Sequence, residues 1–185
     1  MSHLTLMAID PGSSNLGVAL YTIDSTDGNI VSTHAYTITA NKSKFYSKEL
    51  SKKMGDRFAR LHAMRCEIAD ALSQYRPMMC ACESPFYNPR MPNAYGVLVE
   101  CVYMIQMAVW DYNDRVGFIR VTPKEAKMAV GAKKNGKDEV QKHVKKMLDV
   151  FKLDVDFSSL DEHAVDAIAI GYHAYLRHFK LEQTR

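Results

Sequence analysis

Apolar and polar positions first alternate with the period of a strand and later with that of a helix, and the change of period divides the chain. Residues 4–10, 15–23 and 30–38 read as strands, the second largely apolar and the third alternating, with the turn signal STDGN between the last two. Three successive strands with short connections predict an antiparallel meander. From about 47 to 75 the spacing becomes helical, with Phe58, Leu61, Arg65, Ile68 and Leu72 on one mostly apolar face, and one helix is expected there. Pro77 then opens the run MMCACE, a strand that ends on Glu83. Residues 93–113 are apolar on most sides through Val97, Leu98, Val102, Ile105, Val109 and Trp110, the pattern of a helix that serves two neighbours. The strand VGFIRV, 116–121, runs into Thr122, Pro123, Lys124 and Glu125, a capping box with proline at the first helical position, and that helix should stop near Gly131. After the polar run KKNGK a helix is expected over 138–151. Ser159 with Glu162 predicts a second capping box for the last helix.

This order of elements implies an α/β fold: a mixed sheet of five strands, the meander plus parallel strands, with helices on both faces. No linker, repeat or low-complexity segment divides residues 1–185, so one domain is expected. Parallel strands joined by helical crossovers bring their carboxyl ends to one edge, where sites in such sheets form. Asp10 and Glu83 both close apolar strands, and Asp166 lies in the helix-like run LDEHAVDAIAIGYHAYL with His163 one turn before it. A carboxylate at the edge of a core is costly unless it is paired, hydrated or bound to a cation. Taken singly, each has a plainer reading: Asp10 before Pro11 and Gly12 as a turn initiator, Glu83 as a strand-end cap, Asp166 as a buried partner of an arginine. Together, three carboxylates far apart in sequence suggest one metal site.

Charge sharpens that expectation. The net charge is +3, but residues 42–65 carry eight Lys/Arg against two acids and residues 122–152 carry nine Lys against four, or +6 and +5, which leaves the remainder at −8. Basic segments beside an acidic site suit a protein that attracts a polyanion while holding divalent cations; the alternative is lysines that only solvate helix faces. No secretory leader and no apolar run of membrane-spanning length is visible, so a soluble, cytoplasmic protein is expected. Cys66, Cys80, Cys82 and Cys101 lack zinc-site spacing and read as reduced, mostly buried thiols; His62 and Cys66 can share a helix face but lack further ligands.

The segments IDPGSSNLGVAL, ESPFYNPR, TPKEAKMAVGAKKNGKDEV and EHAVDAIAIGYHA, in that order from about residue 5 to 176, resemble the successive motifs of RuvC-type Holliday junction resolvases, within the ribonuclease H-like superfamily. The resemblance implies a ribonuclease H-like sheet and makes Asp10, Glu83 and Asp166 the metal-binding, catalytic carboxylates. Where the family usually has a fourth acid, this chain has His163, which shares a helix face with Asp166 and would act as a metal ligand or a proton shuttle. Glu162, four residues before Asp166, also reaches that face. In-line phosphodiester hydrolysis needs an activated water and neutralised phosphate charge, which two Mg²⁺ or Mn²⁺ ions roughly 4 Å apart supply. Asp10 is then expected to bridge both ions, with Glu83 on one and Asp166 on the other.

The resemblance also implies a DNA-binding surface. Phe86, three residues after Glu83, stands where the family carries an aromatic that stacks at the junction centre, with Tyr87 as its neighbour. Lys127 and Lys137 match basic positions of the family motif, and Lys124, Lys133 and Lys134 can share the work of holding phosphate. The expected partner is branched DNA, a four-way junction, cut symmetrically by a homodimer to leave 5′-phosphate and 3′-hydroxyl nicks. Helix 93–113 is the expected dimer contact, because Tyr95, Leu98, Tyr103, Met104 and Met107 extend its apolar surface beyond one stripe.

Other classes stay open beside this one. The loop after Asp10 also resembles the phosphate loop of actin-like and sugar-kinase ATPases, but those folds duplicate the domain and this chain is too short for that. A related RuvC-like nuclease acting on flaps, other branched DNA or RNA shares every motif. A non-catalytic junction-binding protein is separated from both by metal-dependent cleavage.

Overall fold

The computed structural model describes residues 2–132, 137–151, 153 and 155–180. Five strands form one sheet: β1 (His3–Asp10), β2 (Asn15–Asp24), β3 (Ile30–Thr39), β4 (Met79–Glu83) and β5 (Gly117–Val121), in the order β3-β2-β1-β4-β5. The pairs β1–β2 and β2–β3 are antiparallel, as the meander predicts, and β1–β4 and β4–β5 are parallel. Among the described residues six α-helices flank it: α1 (Lys48–Met54), α2 (Asp56–Tyr75), α3 (Pro92–Tyr112), α4 (Pro123–Ala129), α5 (Lys137–Val150) and α6 (Glu162–Tyr175). Among the described residues no helix is long and apolar enough to cross a membrane.

Alternation along the strands sorts side chains onto two packed faces. Met7, Ile9, Val18, Leu20, Cys80 and Cys82 pack with Ile68 and Leu72 of α2 and with Val102, Ile105 and Val109 of α3. Leu6, Ala8, Ala19, Tyr21, Ala81 and Val121 face the other way and pack with Ala126 of α4, Val144 of α5 and the Ala164–Ala174 stretch of α6. Because both faces are covered, β1 is apolar and buried from Leu6 to Ile9, and Asp10 closes that run. All four cysteines are free thiols, three of them buried, and the Cys66 thiol lies 3.7 Å from His62 Nε2.

The α6 face is built from small residues, which lets that helix lie close to the sheet. A Cβ on Gly171 would stand 2.3 Å from the Tyr21 ring, and the Tyr21 hydroxyl donates to the Ile168 carbonyl at 2.6 Å. A Cβ on Gly17 would stand 2.0 Å from the His163 carbonyl, so the amino end of α6 rests on the backbone of β2. These contacts fix the depth and rotation of the helix that carries His163 and Asp166.

The structure corrects three expectations. The helix expected over 47–75 is two helices, because Gly55 at φ +90° breaks it between α1 and α2. The capping box expected from Ser159 and Glu162 does not form: Asp161 caps α6 by accepting from the Ala164 N–H, and Ser159 belongs to a short 3₁₀ turn capped by Asp156. Phe58, expected on the apolar face of α2, is exposed because the docked face of that helix points elsewhere, while Trp110 of α3, the helix expected to serve two neighbours, is 64% exposed. By contrast, the box at Thr122 and Glu125 forms in both directions, with Pro123 opening α4.

Candidate active site

Parity along the strands places the carboxylates. Asp10 follows Leu6 and Ala8, and Glu83 follows Ala81, so both belong to the α6 side of the sheet. The parallel register pairs Ile9 with Cys82, which leaves Asp10 and Glu83 at adjacent carboxyl ends. Asp10 is buried. Across the antiparallel pair it faces Gly17, the residue on which the start of α6 rests. The crossing helix therefore brings His163 onto Asp10, with Nδ1 3.0 Å from Oδ2. Asp166 stands one turn further along, and Glu162 Oε1 lies 4.0 Å from His163 Nε2. Asp161, turned away, accepts a 2.5 Å bond from the Thr37 hydroxyl of β3 and ties the cap to the meander.

Electrostatics makes one unit of these groups. Burial raises the pKa of Asp10, and the hydrogen bond from His163 opposes that rise. Asp166 is pushed up to about 6, first by burial and then by the charge of Asp10, while Lys127 and His163 pull it down. Glu83 is pushed up to about 8, by burial first and then by Asp10 and Asp166, with Lys127 opposing. Each carboxylate charge makes the next harder to form, so the three carboxyls titrate as a coupled set. The His163 imidazole is held protonated to higher pH, chiefly by its hydrogen bond to Asp10.

Lys127 is the residue whose place the sequence leaves least visible. The motif marks it as a phosphate contact, yet the structure puts it, half-buried on α4, where its charge acts on both Glu83 and Asp166. The capping box fixes the first turn of α4, and Ala126 anchors the helix in the core, so the adjacent Lys127 is aimed by rigid neighbours. Lys124 is exposed on the same helix. Lys137 is the first residue of α5, and Lys133 and Lys134 lie outside the described residues. Phe86 and Tyr87 sit in the loop after Glu83, both exposed, and Tyr87 meets Tyr95 of α3 edge to face at 6.0 Å between ring centres.

Among the described residues no three His, Cys, Asp or Glu side chains already stand in a group close enough to hold a metal ion. The donor chemistry nevertheless fits a hard divalent cation. Three carboxylates repel one another in a half-buried cleft, and His163 and Lys127 are the cations acting on them. A divalent ion would remove the repulsion that lifts Glu83 and Asp166.

The model of the family described as crossover junction endodeoxyribonuclease RuvC matches residues 6–173. The chain belongs to the RuvC family. Solved structures carry the same fold. The Thermus thermophilus RuvC in complex with a Holliday junction substrate is 20% identical, covers 95% of each chain and superposes with a TM-score of 0.65. The yeast mitochondrial Holliday junction resolvase is 13% identical over 97% of this chain and 84% of its own, with a TM-score of 0.63. The fowlpox virus Holliday junction resolvase is 16% identical over 96% and 99%, with a TM-score of 0.53. No curated protein sequence matches the chain. The fold is thus the ribonuclease H-like fold of RuvC, and the carboxylate edge described above is where this RuvC-family chain gathers its strand-end acids.

Proposed function

We propose that this protein resolves four-way DNA junctions by divalent-metal-dependent hydrolysis, making symmetric nicks that leave 5′-phosphate and 3′-hydroxyl ends. The observation that carries the reading is the gathering of Asp10, Glu83 and Asp166 at one sheet edge of a RuvC-family chain, where burial first and neighbouring carboxylate charge second raise Glu83 and Asp166. Asp10, Glu83 and Asp166, with His163 beside them, would hold Mg²⁺ or Mn²⁺, which supplies Lewis-acid stabilisation of the phosphate and a nucleophilic water.

The chain's own groups do the rest. His163 orients Asp10 through its Nδ1 and presents its Nε2 toward Glu162, so the imidazole can pass a proton between the cleft and the surface. Lys127 places a fixed positive charge beside Glu83 and Asp166, where a phosphate oxygen gains charge in the transition state. Phe86, 47% exposed next to Glu83, offers a ring for an unstacked base at the branch point. The likeness to the Thermus thermophilus RuvC in complex with a Holliday junction substrate supports a branched substrate.

A junction has two equivalent strands to cut, and a twofold dimer supplies two sites. On α3, Tyr95, Val99, Tyr103, Met107 and Trp110 are exposed at helical spacing and form an apolar stripe, which we assign as the dimer contact. Leu98 and Met104, expected in that contact, are half-buried at its edge.

The test is cleavage of an immobile four-way junction against linear duplex, flap and RNA–DNA hybrid, in Mg²⁺ and in Mn²⁺, with Asp10→Asn as control. Paired symmetric nicks, lost in Asp10→Asn, are expected. Preference for flap or hybrid would keep the fold and site but overturn the junction assignment.

A further inference from the structure

Between β3 and α2, after Ala40 has joined the core, the chain forms the surface helix α1. No residue of α1 is buried, yet the helix is pinned at both ends. The Ser47 side chain accepts from the Leu50 N–H at 3.2 Å, and the Tyr46 hydroxyl, just before the helix, donates at 2.6 Å to Asp56, just after it. A helix held at both ends, with Leu50 half-buried as its inward apolar side chain, is there to present its outer residues.

Three of those residues are lysines, with Glu49 and Met54 exposed beside them. Lys48, Lys52 and Lys53 are exposed, as is Lys42 before them, and among the described residues none has an acidic partner. Their basic neighbours are committed: Lys44 to Asp70, Arg57 to Glu100 and Arg60 to Asp56. Lys48 and Lys52 are one turn apart on one face, with Lys53 adjacent.

The segment also starts at the right end of the sheet. Asp10 faces Gly17 and Gly17 faces Thr37, so β3 finishes at the edge that carries the acidic site, two strands or roughly 10 Å away. The Ala40 N–H donates to the Ser14 carbonyl at 2.9 Å, and Arg60 Nε donates to the Ser13 carbonyl at 3.1 Å, which ties the root of α1 to the loop following Asp10. Between them lies a cleft of about 360 Å³ with Ser14, Asn15, Asn41, Tyr46 and Arg60 among its lining residues.

We propose that α1 is a second DNA-backbone contact: Lys48, Lys52 and Lys53 take phosphates of the duplex arm that leaves the active site past Ser13 and Ser14. This rests on the reading of the site as a branched-DNA nuclease. The test is binding of a fluorescent immobile four-way junction by anisotropy, without divalent metal, across roughly 50 to 200 mM salt. Wild type is compared with the triple variants Lys48→Gln/Lys52→Gln/Lys53→Gln and Lys48→Arg/Lys52→Arg/Lys53→Arg. Each lost phosphate contact removes about 0.9 from the slope of log K against log salt, so the glutamine triple should lose about two to three in slope and roughly tenfold or more in affinity. The arginine triple should keep both, and melting temperatures should stay level. A glutamine triple with wild-type slope and affinity overturns the α1 contact alone. Wild-type protein that fails to bind the junction overturns the reading of the site beneath it.

Discussion

Replacing Glu83 with Gln should stabilise the metal-free protein, although it removes a residue of the proposed active site. In an unfolded chain this carboxyl titrates near 4.5, whereas in the fold burial and the charges of Asp10 and Asp166 push it up to about 8. Between those values the native state holds a proton that the unfolded state lacks, so stability falls as pH rises through that window. The full shift corresponds to roughly 5 kcal/mol. Water entering the open side of the cleft screens part of it, and about 2 kcal/mol is the expected gain for Glu83→Gln above pH 8. For a chain of this size that raises Tm by about 4 to 8 °C. The assay is thermal denaturation in EDTA from pH 5.5 to 9. Wild type should lose stability toward alkaline pH, and the variant should lose less, with the two curves converging near pH 5. Addition of Mn²⁺ should then stabilise wild type more than the variant, reversing their order. A variant less stable than wild type at pH 8.5 in EDTA would refute the view that uncompensated carboxylate charge is stored at this edge.

Three further outcomes follow from the same geometry. Gly17→Ala drives a Cβ to 2.0 Å from the His163 carbonyl, so α6 must lift from β2; a loss of about 2 to 3 kcal/mol in urea denaturation is expected, with cleavage falling further than the folded fraction. Lys127→Gln removes the cation that pulls Glu83 and Asp166 down, so both carboxyls shift upward, and the pH at which cleavage reaches half its maximum should move to higher pH; an unmoved profile with weaker DNA binding would make Lys127 a phosphate contact alone. Phe86→Ala, at an exposed loop position, should leave the melting temperature unchanged and reduce junction cleavage, and equal cleavage with normal binding would remove the stacking role.

Why some of this was legible in the sequence and some was not comes down to the range of the forces involved. Strand alternation and turn residues act over a few positions, so the meander, the two parallel strands and the Thr122 capping box are all visible along the chain. The break at Gly55 is not, because a single glycine in a helical pattern costs only about 1 kcal/mol and its φ of +90° is chosen by the tertiary path of α1. Asp161 and Ser159 are both good caps by residue type, and Asp161 prevails where β3 supplies Thr37 to hold its carboxylate. Trp110 and Phe58 show the same limit, since periodicity reveals that a helix has apolar faces but not which one docks. The acidic site falls between these cases. Parity puts Asp10 and Glu83 on one side of the sheet, and a one-turn spacing puts His163 beside Asp166, both readable from residue order. The closeness of Lys127 and the 3.0 Å bond from His163 to Asp10 are not readable, because they depend on how deeply α4 and α6 settle. That depth is set by Gly17, Gly171 and the alanines opposite them, so the small residues where sheet and helix meet, which carry no chemistry, decide whether the chemical ones meet.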